Sequence, residues 1–191
     1  MKVNNPIMLI DMPDPDVIRV DDTFYMISTT MFVMPGAPIL KSKDLVHWEI
    51  VSYVFDIIED SELYNLKDVK KAYGKGQWAS SLKYFKNRYY ACFVCHDLGK
   101  TFIYHTDDIE KSNWEKFEID GAYHDMSFLF DDDGRNYLVY GNSEIHIIEL
   151  NENLLGIKKD GLNKLLIETR NQDMRLQCEG CRAYKINGYY Y

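Results

Sequence analysis

The segment YHDMSFLFDDDGRNYLVYG, residues 123–141, holds a carboxylate, an alternating apolar run, an acidic turn closed by glycine, and a second alternating run. Apolar residues at every second position turn one face of a strand toward a core, and Asp, Asn and Gly clustered between two such runs mark a hairpin. The turn here is Asp131 to Gly134. The same unit stands at residues 17–29 around Asp21-Asp22 and at residues 81–95 around Lys86-Asn87. It returns in AYKINGYYY, residues 183–191, where Asn187-Gly188 favours a two-residue hairpin turn.

The segments that follow these hairpins repeat as well. PILKSKDLVHWEIV, residues 38–51, is echoed by FIYHTDDIEKSNWEKFEI, residues 102–119, and more weakly by IHIIELNENL, residues 145–154. Each unit therefore reads as two hairpins, or four strands, which is the content of one propeller blade. Asp14, Asp125 and Glu179 precede the first turns of their units by similar intervals, and Trp78 holds that place in the second unit. Equivalent positions on the innermost strands of a radial array converge at one end of the axis. Three carboxylates and an indole are thus expected to meet in one cavity.

Composition narrows the class of function. With 46% hydrophobic and 14% aromatic residues, the 191-residue chain has the means to bury a core, and fifteen tyrosines and nine phenylalanines favour sheet over helix. A net charge of −8 spread through the turns excludes nucleic acid and anionic membrane as partners, since both reward clustered Lys and Arg. No run is long enough to cross a membrane, and the first residues lack the pattern of a signal peptide, so a cytoplasmic location is expected. Cys92/Cys95 and Cys178/Cys181 each have zinc-site spacing. In a strand, however, an odd separation sends Cys92 and Cys95 to opposite faces, and Cys178 and Cys181 simply bracket Glu179. No metal ligands are assigned, and reduced thiols are expected.

In MPDPDVIRVDDTFYMIST, residues 12–29, Asp14 lies between two prolines that restrict how its carboxylate leaves the chain. Asp11 and Asp16 read as surface or structural groups. This stretch, followed by MPGAPILKSKDLVHWEIV, GQWASSLKYFKNRYY, residues 123–141 and EGCRAYKINGYYY, resembles glycoside hydrolase family 43 in the right order over nearly the whole chain. That family groups inverting β-xylosidases and α-L-arabinofuranosidases. The resemblance implies an all-β, five-bladed β-propeller, of which residues 1–191 would hold about three blades and part of a fourth. It implies Asp14 as general base, Glu179 as general acid and Asp125 as the carboxylate that modulates the acid's pKa. Met31 and Phe32, on a loop that helps wall the sugar pocket, join Trp78, His124 and Arg182 as expected substrate contacts. Asp125-Met126-Ser127 stands where the family usually has Asp-Pro-Ser, a change expected to loosen the backbone there.

Inverting hydrolysis requires one carboxyl group to protonate the leaving oxygen and another to activate water on the opposite face, about 6.5–9.5 Å apart. The substrate implied is a small oligosaccharide or pentoside, with no cofactor required. Some relatives hold a metal ion in the propeller axis, and no ligand set for one is identifiable here. A partial ring would expose sheet edges prone to self-association. Three alternatives stay open: a non-catalytic carbohydrate-binding propeller, a retaining five-bladed fructoside hydrolase, and an interaction scaffold. The choice between xylose and arabinose, and between chain-end and internal cleavage, lies beyond these motifs.

Overall fold

A computed structural model describes residues 3–65, 67, 71–169 and 177–191. The expected repeats appear as three four-stranded antiparallel sheets. The first contains β1 (Asp16–Val20), β2 (Thr23–Ile27), β3 (Gly36–Ser42) and β4 (Glu49–Phe55), paired in chain order. The second contains β5 (Ser80–Phe85), β6 (Arg88–Cys95), β7 (Lys100–Thr106) and β8 (Glu115–Asp120), and the third β9 (Ser127–Phe130), β10 (Asn136–Asn142), β11 (Glu144–Leu150) and β12 (Asn163–Glu168). A final hairpin pairs β13 (Lys185–Ile186) with β14 (Tyr189–Tyr190). Two short 3-10 turns, at Glu62–Asn65 and His96–Leu98, are the helical structure among the described residues, so none of it is long and apolar enough to cross a membrane.

The first strands of successive sheets lie side by side, and the sheets pack face to face. Period-two alternation makes this possible, and β6 shows how. Its Ala91, Phe93 and Cys95 point into a core shared with Ile27, Ile39, Val54 and Phe55 of the first sheet. The intervening Tyr90, Cys92 and Val94 enter a second core with Phe128, Leu138 and Ile148 of the third sheet. Cys92 and Cys95 therefore occupy different cores, as their odd spacing requires. The far face of the third sheet gathers Leu129, Tyr137, Val139, Ile145 and Ile147 around Ala183 of the final segment.

Polar groups tie the first strands together. Asp16, buried to 3% exposure, accepts the Leu82 N–H at 2.8 Å through Oδ2 and faces Arg182 Nε at 3.2 Å through Oδ1. Arg182 also donates to the carbonyls of Ser80, at 3.3 Å, and Cys181, at 2.8 Å. Ala183 N–H donates to Ser127 Oγ at 3.0 Å. One carboxylate and one guanidinium thus join the first sheet, the second sheet and the last segment.

One boundary and one expectation about rigidity differ from the sequence reading. β2 stops at Ile27 rather than Thr29 because Ser28 Oγ and Thr29 N–H both donate to Pro13 O, at 2.6 and 3.1 Å, which draws the chain back toward the segment before β1. Backbone loosening at Met126 is also not what the fold produces. Met126 is fully buried in the second core, while the Asp125 carbonyl accepts the Cys181 N–H at 3.2 Å. Burial fixes the segment where a proline ring would have done so.

Two outcomes follow for stability. Phe93 is fully buried between sheets, so Phe93→Ala should lower unfolding free energy by about 3–5 kcal/mol in urea titration. Asp16→Ala leaves Arg182 and the Leu82 N–H without their partner and should cost about 3–5 kcal/mol. A melting temperature unchanged by Asp16→Ala would show that the junction does not depend on this ion pair.

Candidate active site

Asp14, Trp78 and Asp125 each stand two residues ahead of the first strand of their sheet. Asp14 and Asp125 also share an uncommon backbone, with φ of 51° and 48°, and Gly180 beside Glu179 has φ of 69°. This left-handed region is strained for most side chains, with Asp and Asn among the best tolerated. The chain thus turns sharply just before it enters the inner strand, so the residue at the turn sits at the strand's starting end.

Three of the expected residues meet directly. His124 Nε2 lies 3.6 Å from Asp125 Oδ1 and 3.5 Å from Glu179 Oε2. Asp125 Oδ2 accepts the Gly180 N–H at 3.1 Å, so the carboxylate of one sheet holds the backbone that presents the other acid. The Asp125 side chain is 14% exposed and that of Glu179 is 51% exposed. Two acids in contact with one imidazole therefore have very different access to water. Trp78 packs its ring edge-on to His96, with centroids 5.2 Å apart, and faces His124 at 6.4 Å.

Asp14 is exposed and, among the described residues, makes no side-chain hydrogen bond or ion pair. Its backbone is fixed through Pro13 O, whose donors Ser28 and Thr29 run into Thr30, and Thr30 N–H and Oγ1 both donate to Gln77 Oε1, at 2.7 and 3.1 Å. Gln77 precedes Trp78, so Asp14 and the indole are linked by a short chain of polar contacts. Met31 pairs its backbone with Gln77 in both directions, at 3.0 and 3.1 Å. Phe32 stacks at a tilt on Tyr73, with centroids 5.3 Å apart. Both Met31 and Phe32 line an open groove of about 670 Å³ that also contains Met34, Tyr53 and Tyr73. A second groove of similar volume includes Glu179 and Arg182. Asp14, Trp78, His124 and Asp125 line neither. The guanidinium of Arg182 is engaged by Asp16, Ser80 and Cys181, as described above.

Three residues of this site were absent from the sequence reading. His96, in the 3-10 turn after β6, lies with Nε2 2.9 Å from His124 Nδ1. Burial and then the neighbouring His124 push the His96 imidazole below its ordinary pKa. Asn142, at the end of β10, donates through Nδ2 to Glu179 Oε2. Asp97 accepts from Tyr64 Oη and from the Gly76 N–H at 3.1 Å, pinning the segment that leads to Trp78 beside the His96 turn. Burial opposes the Asp97 charge, but the bonds from Tyr64, Gly76 and Cys95 outweigh it and hold that carboxyl below its usual range. Gly141, at φ of 137°, donates its N–H to His124 O at 2.9 Å, and a Cβ there would fall 1.9 Å from Glu144 O. Only glycine brings the Asn142 turn this close beneath His124.

The cluster contains the elements of proton transfer: two carboxylates, an imidazole held by a second imidazole, an amide donor on the more exposed acid, and an aromatic face alongside. Ligand atoms of His124, Asp125 and Glu179 also lie within 4.8 Å of one another, so this set could hold a metal ion.

Comparison with known proteins converges on one family. The model of glycosyl hydrolases family 43 matches residues 3–191. A β-xylosidase of Formosa agariphila is 31% identical over 98% of this chain and 33% of its own length. A non-reducing end α-L-arabinofuranosidase of Bacteroides ovatus is 27% identical over 98% of this chain and 34% of its own. A solved bifunctional GH43-CE protein from Bacteroides eggerthii superposes with a TM-score of 0.91 at 42% identity, covering 99% of this chain and 25% of that one. The chain thus spans about a third of the length of these curated relatives. With a family model running from its third residue to its last, the chain belongs to glycosyl hydrolase family 43.

Proposed function

We propose that the protein is a glycosidase that hydrolyses β-xylosidic or α-L-arabinofuranosidic bonds of oligosaccharides with inversion, on a five-bladed propeller to which this chain contributes three sheets and a hairpin. The observation that carries the reading is the contact of Asp125 with the Gly180 backbone and of both Asp125 and Glu179 with His124, at the starting ends of the inner strands. Names of relatives add β-xylosidase and α-L-arabinofuranosidase as the substrate classes to test.

In this mechanism Glu179, the more exposed acid, protonates the leaving oxygen. Its proton is replaced from solvent after each turnover, which its exposure permits. Asn142 and His124 orient the carboxyl group, and Asp125 holds the Gly180 backbone beside it. Asp14 activates a water molecule on the opposite face of the sugar. Among the described residues it has no ion pair, which leaves both carboxylate oxygens available for that water. Trp78 offers an indole face to the ring, and Met31 and Phe32 wall the groove on the Gln77 side. Arg182 lines the same groove as Glu179, its guanidinium anchored on Asp16 and Ser80, and would meet substrate from there. No step calls for a cofactor.

The deciding experiment measures hydrolysis of 4-nitrophenyl β-xyloside and 4-nitrophenyl α-L-arabinofuranoside. Asp14→Ala and Glu179→Gln should each lower kcat/KM by about 10²–10⁴-fold while leaving the fold intact by circular dichroism. The sugar released should have inverted anomeric configuration by NMR. Activity retained in Glu179→Gln would remove it as the acid, and a retained anomer would point to a covalent intermediate instead. Trp78→Ala should raise KM by about three- to tenfold with a smaller change in kcat, the size expected of one aromatic contact.

A further inference from the structure

Two carboxylates alone do not make a cation site, but an imidazole nitrogen between them changes the chemistry. His124 Nε2 stands 3.6 Å from Asp125 Oδ1 and 3.5 Å from Glu179 Oε2. Zinc bonded to N and O ligands at about 2.0–2.2 Å with tetrahedral angles separates those atoms by about 3.3–3.6 Å. Two of the three ligand pairs therefore already have the spacing of a bound ion. The third lies within 4.8 Å and closes by a small movement of Glu179, whose side chain is half exposed.

Each of these groups is also held from outside, as metal ligands are. His124 Nδ1 meets His96 Nε2 at 2.9 Å, so the tautomer that coordinates through Nε2 donates its Nδ1–H to His96. Asp125 keeps Oδ1 free because Oδ2 takes the Gly180 N–H. Asn142 positions Glu179. Among the described residues, neither carboxylate has a lysine or arginine partner, and His124 is their one ionic contact.

We propose that His124, Asp125 and Glu179 form a three-ligand site for a divalent transition-metal ion, zinc foremost, whose fourth position is open to water. The ion is an inhibitor rather than a cofactor. It takes up the carboxylate that must carry the proton and the imidazole that orients it, so metal and substrate exclude one another. Binding stands on the geometry alone, while the blocking effect rests on the glycosidase reading.

Zinc chloride titrated calorimetrically into the protein at neutral pH should bind at one site per chain. His124→Ala should weaken that binding at least tenfold, and His96→Ala should weaken it by a smaller factor. Asp14→Ala removes the proposed base but no ligand, and should bind zinc as the unaltered protein does. Cobalt(II) in the site should show the visible bands of a tetrahedral nitrogen and oxygen environment. Full affinity in His124→Ala would overturn the site, as would a thiolate-to-cobalt band lost in a Cys178→Ser/Cys181→Ser variant. If hydrolysis is measurable and runs undiminished with zinc bound, the inhibitory role is overturned while the glycosidase reading stands. Zinc bound as described in a protein that cleaves neither pentoside would uphold the site and remove the glycosidase reading.

Discussion

The buried carboxylate of Asp16 is where distant segments of the chain meet. It sits at the first residue of β1, takes a backbone N–H from β5, and faces a guanidinium from the segment that opens the final hairpin. A charge removed from water is tolerable only when it is paired and its remaining lone pairs are satisfied, and here both oxygens are engaged. The candidate catalytic turns of the first two sheets lie two residues upstream of the strands that this junction aligns, so the relative positions of Asp14 and Trp78 follow from it, while β9 behind Asp125 is tied to the same last segment by the Ala183 N–H on Ser127 Oγ. Arg182 contributes twice, by closing the junction and by fixing the chain three residues after Glu179.

Around this polar junction the energy of the fold comes from sheets used on both faces. A strand such as β6, which feeds one core through Ala91, Phe93 and Cys95 and another through Tyr90, Cys92 and Val94, transmits the placement of one sheet to the next. That packing leaves the inner ends of the strands as the place where polar side chains from different sheets meet. Connectors there are pinned individually, as Asp97 pins the Gly76 segment and Gly141 supports His124.

Much of this is legible in the sequence. Alternation and the turns at Asp21-Asp22, Lys86-Asn87, Asp131 to Gly134 and Asn187-Gly188 locate the hairpins because strand period and turn chemistry are local properties. The spacing of Cys92 and Cys95 gave their opposite faces for the same reason. His96, Asn142 and Asp97 escaped notice because nothing local distinguishes them. His96 follows an apolar run that reads as strand, and its meaning comes from His124; Asn142 gains its meaning from Glu179, and Asp97 from Tyr64 and Gly76. Met126 misled for a related reason: losing a proline counts as lost rigidity only when the replacement is not itself locked in a core.

Asp14 and Asp125 both stand on left-handed backbone, at positions where glycine or asparagine would rest with less strain. At Asp125 that strain is offset by the hydrogen bond its carboxylate takes from the Gly180 N–H, whereas Asp14 has no such side-chain contact among the described residues. Glycine or asparagine in place of Asp14 would therefore relieve the backbone without breaking a side-chain contact among the described residues. Asp14 is thus a charged residue on left-handed backbone that no side-chain contact among the described residues explains, and its cost is borne for what the exposed carboxylate can do.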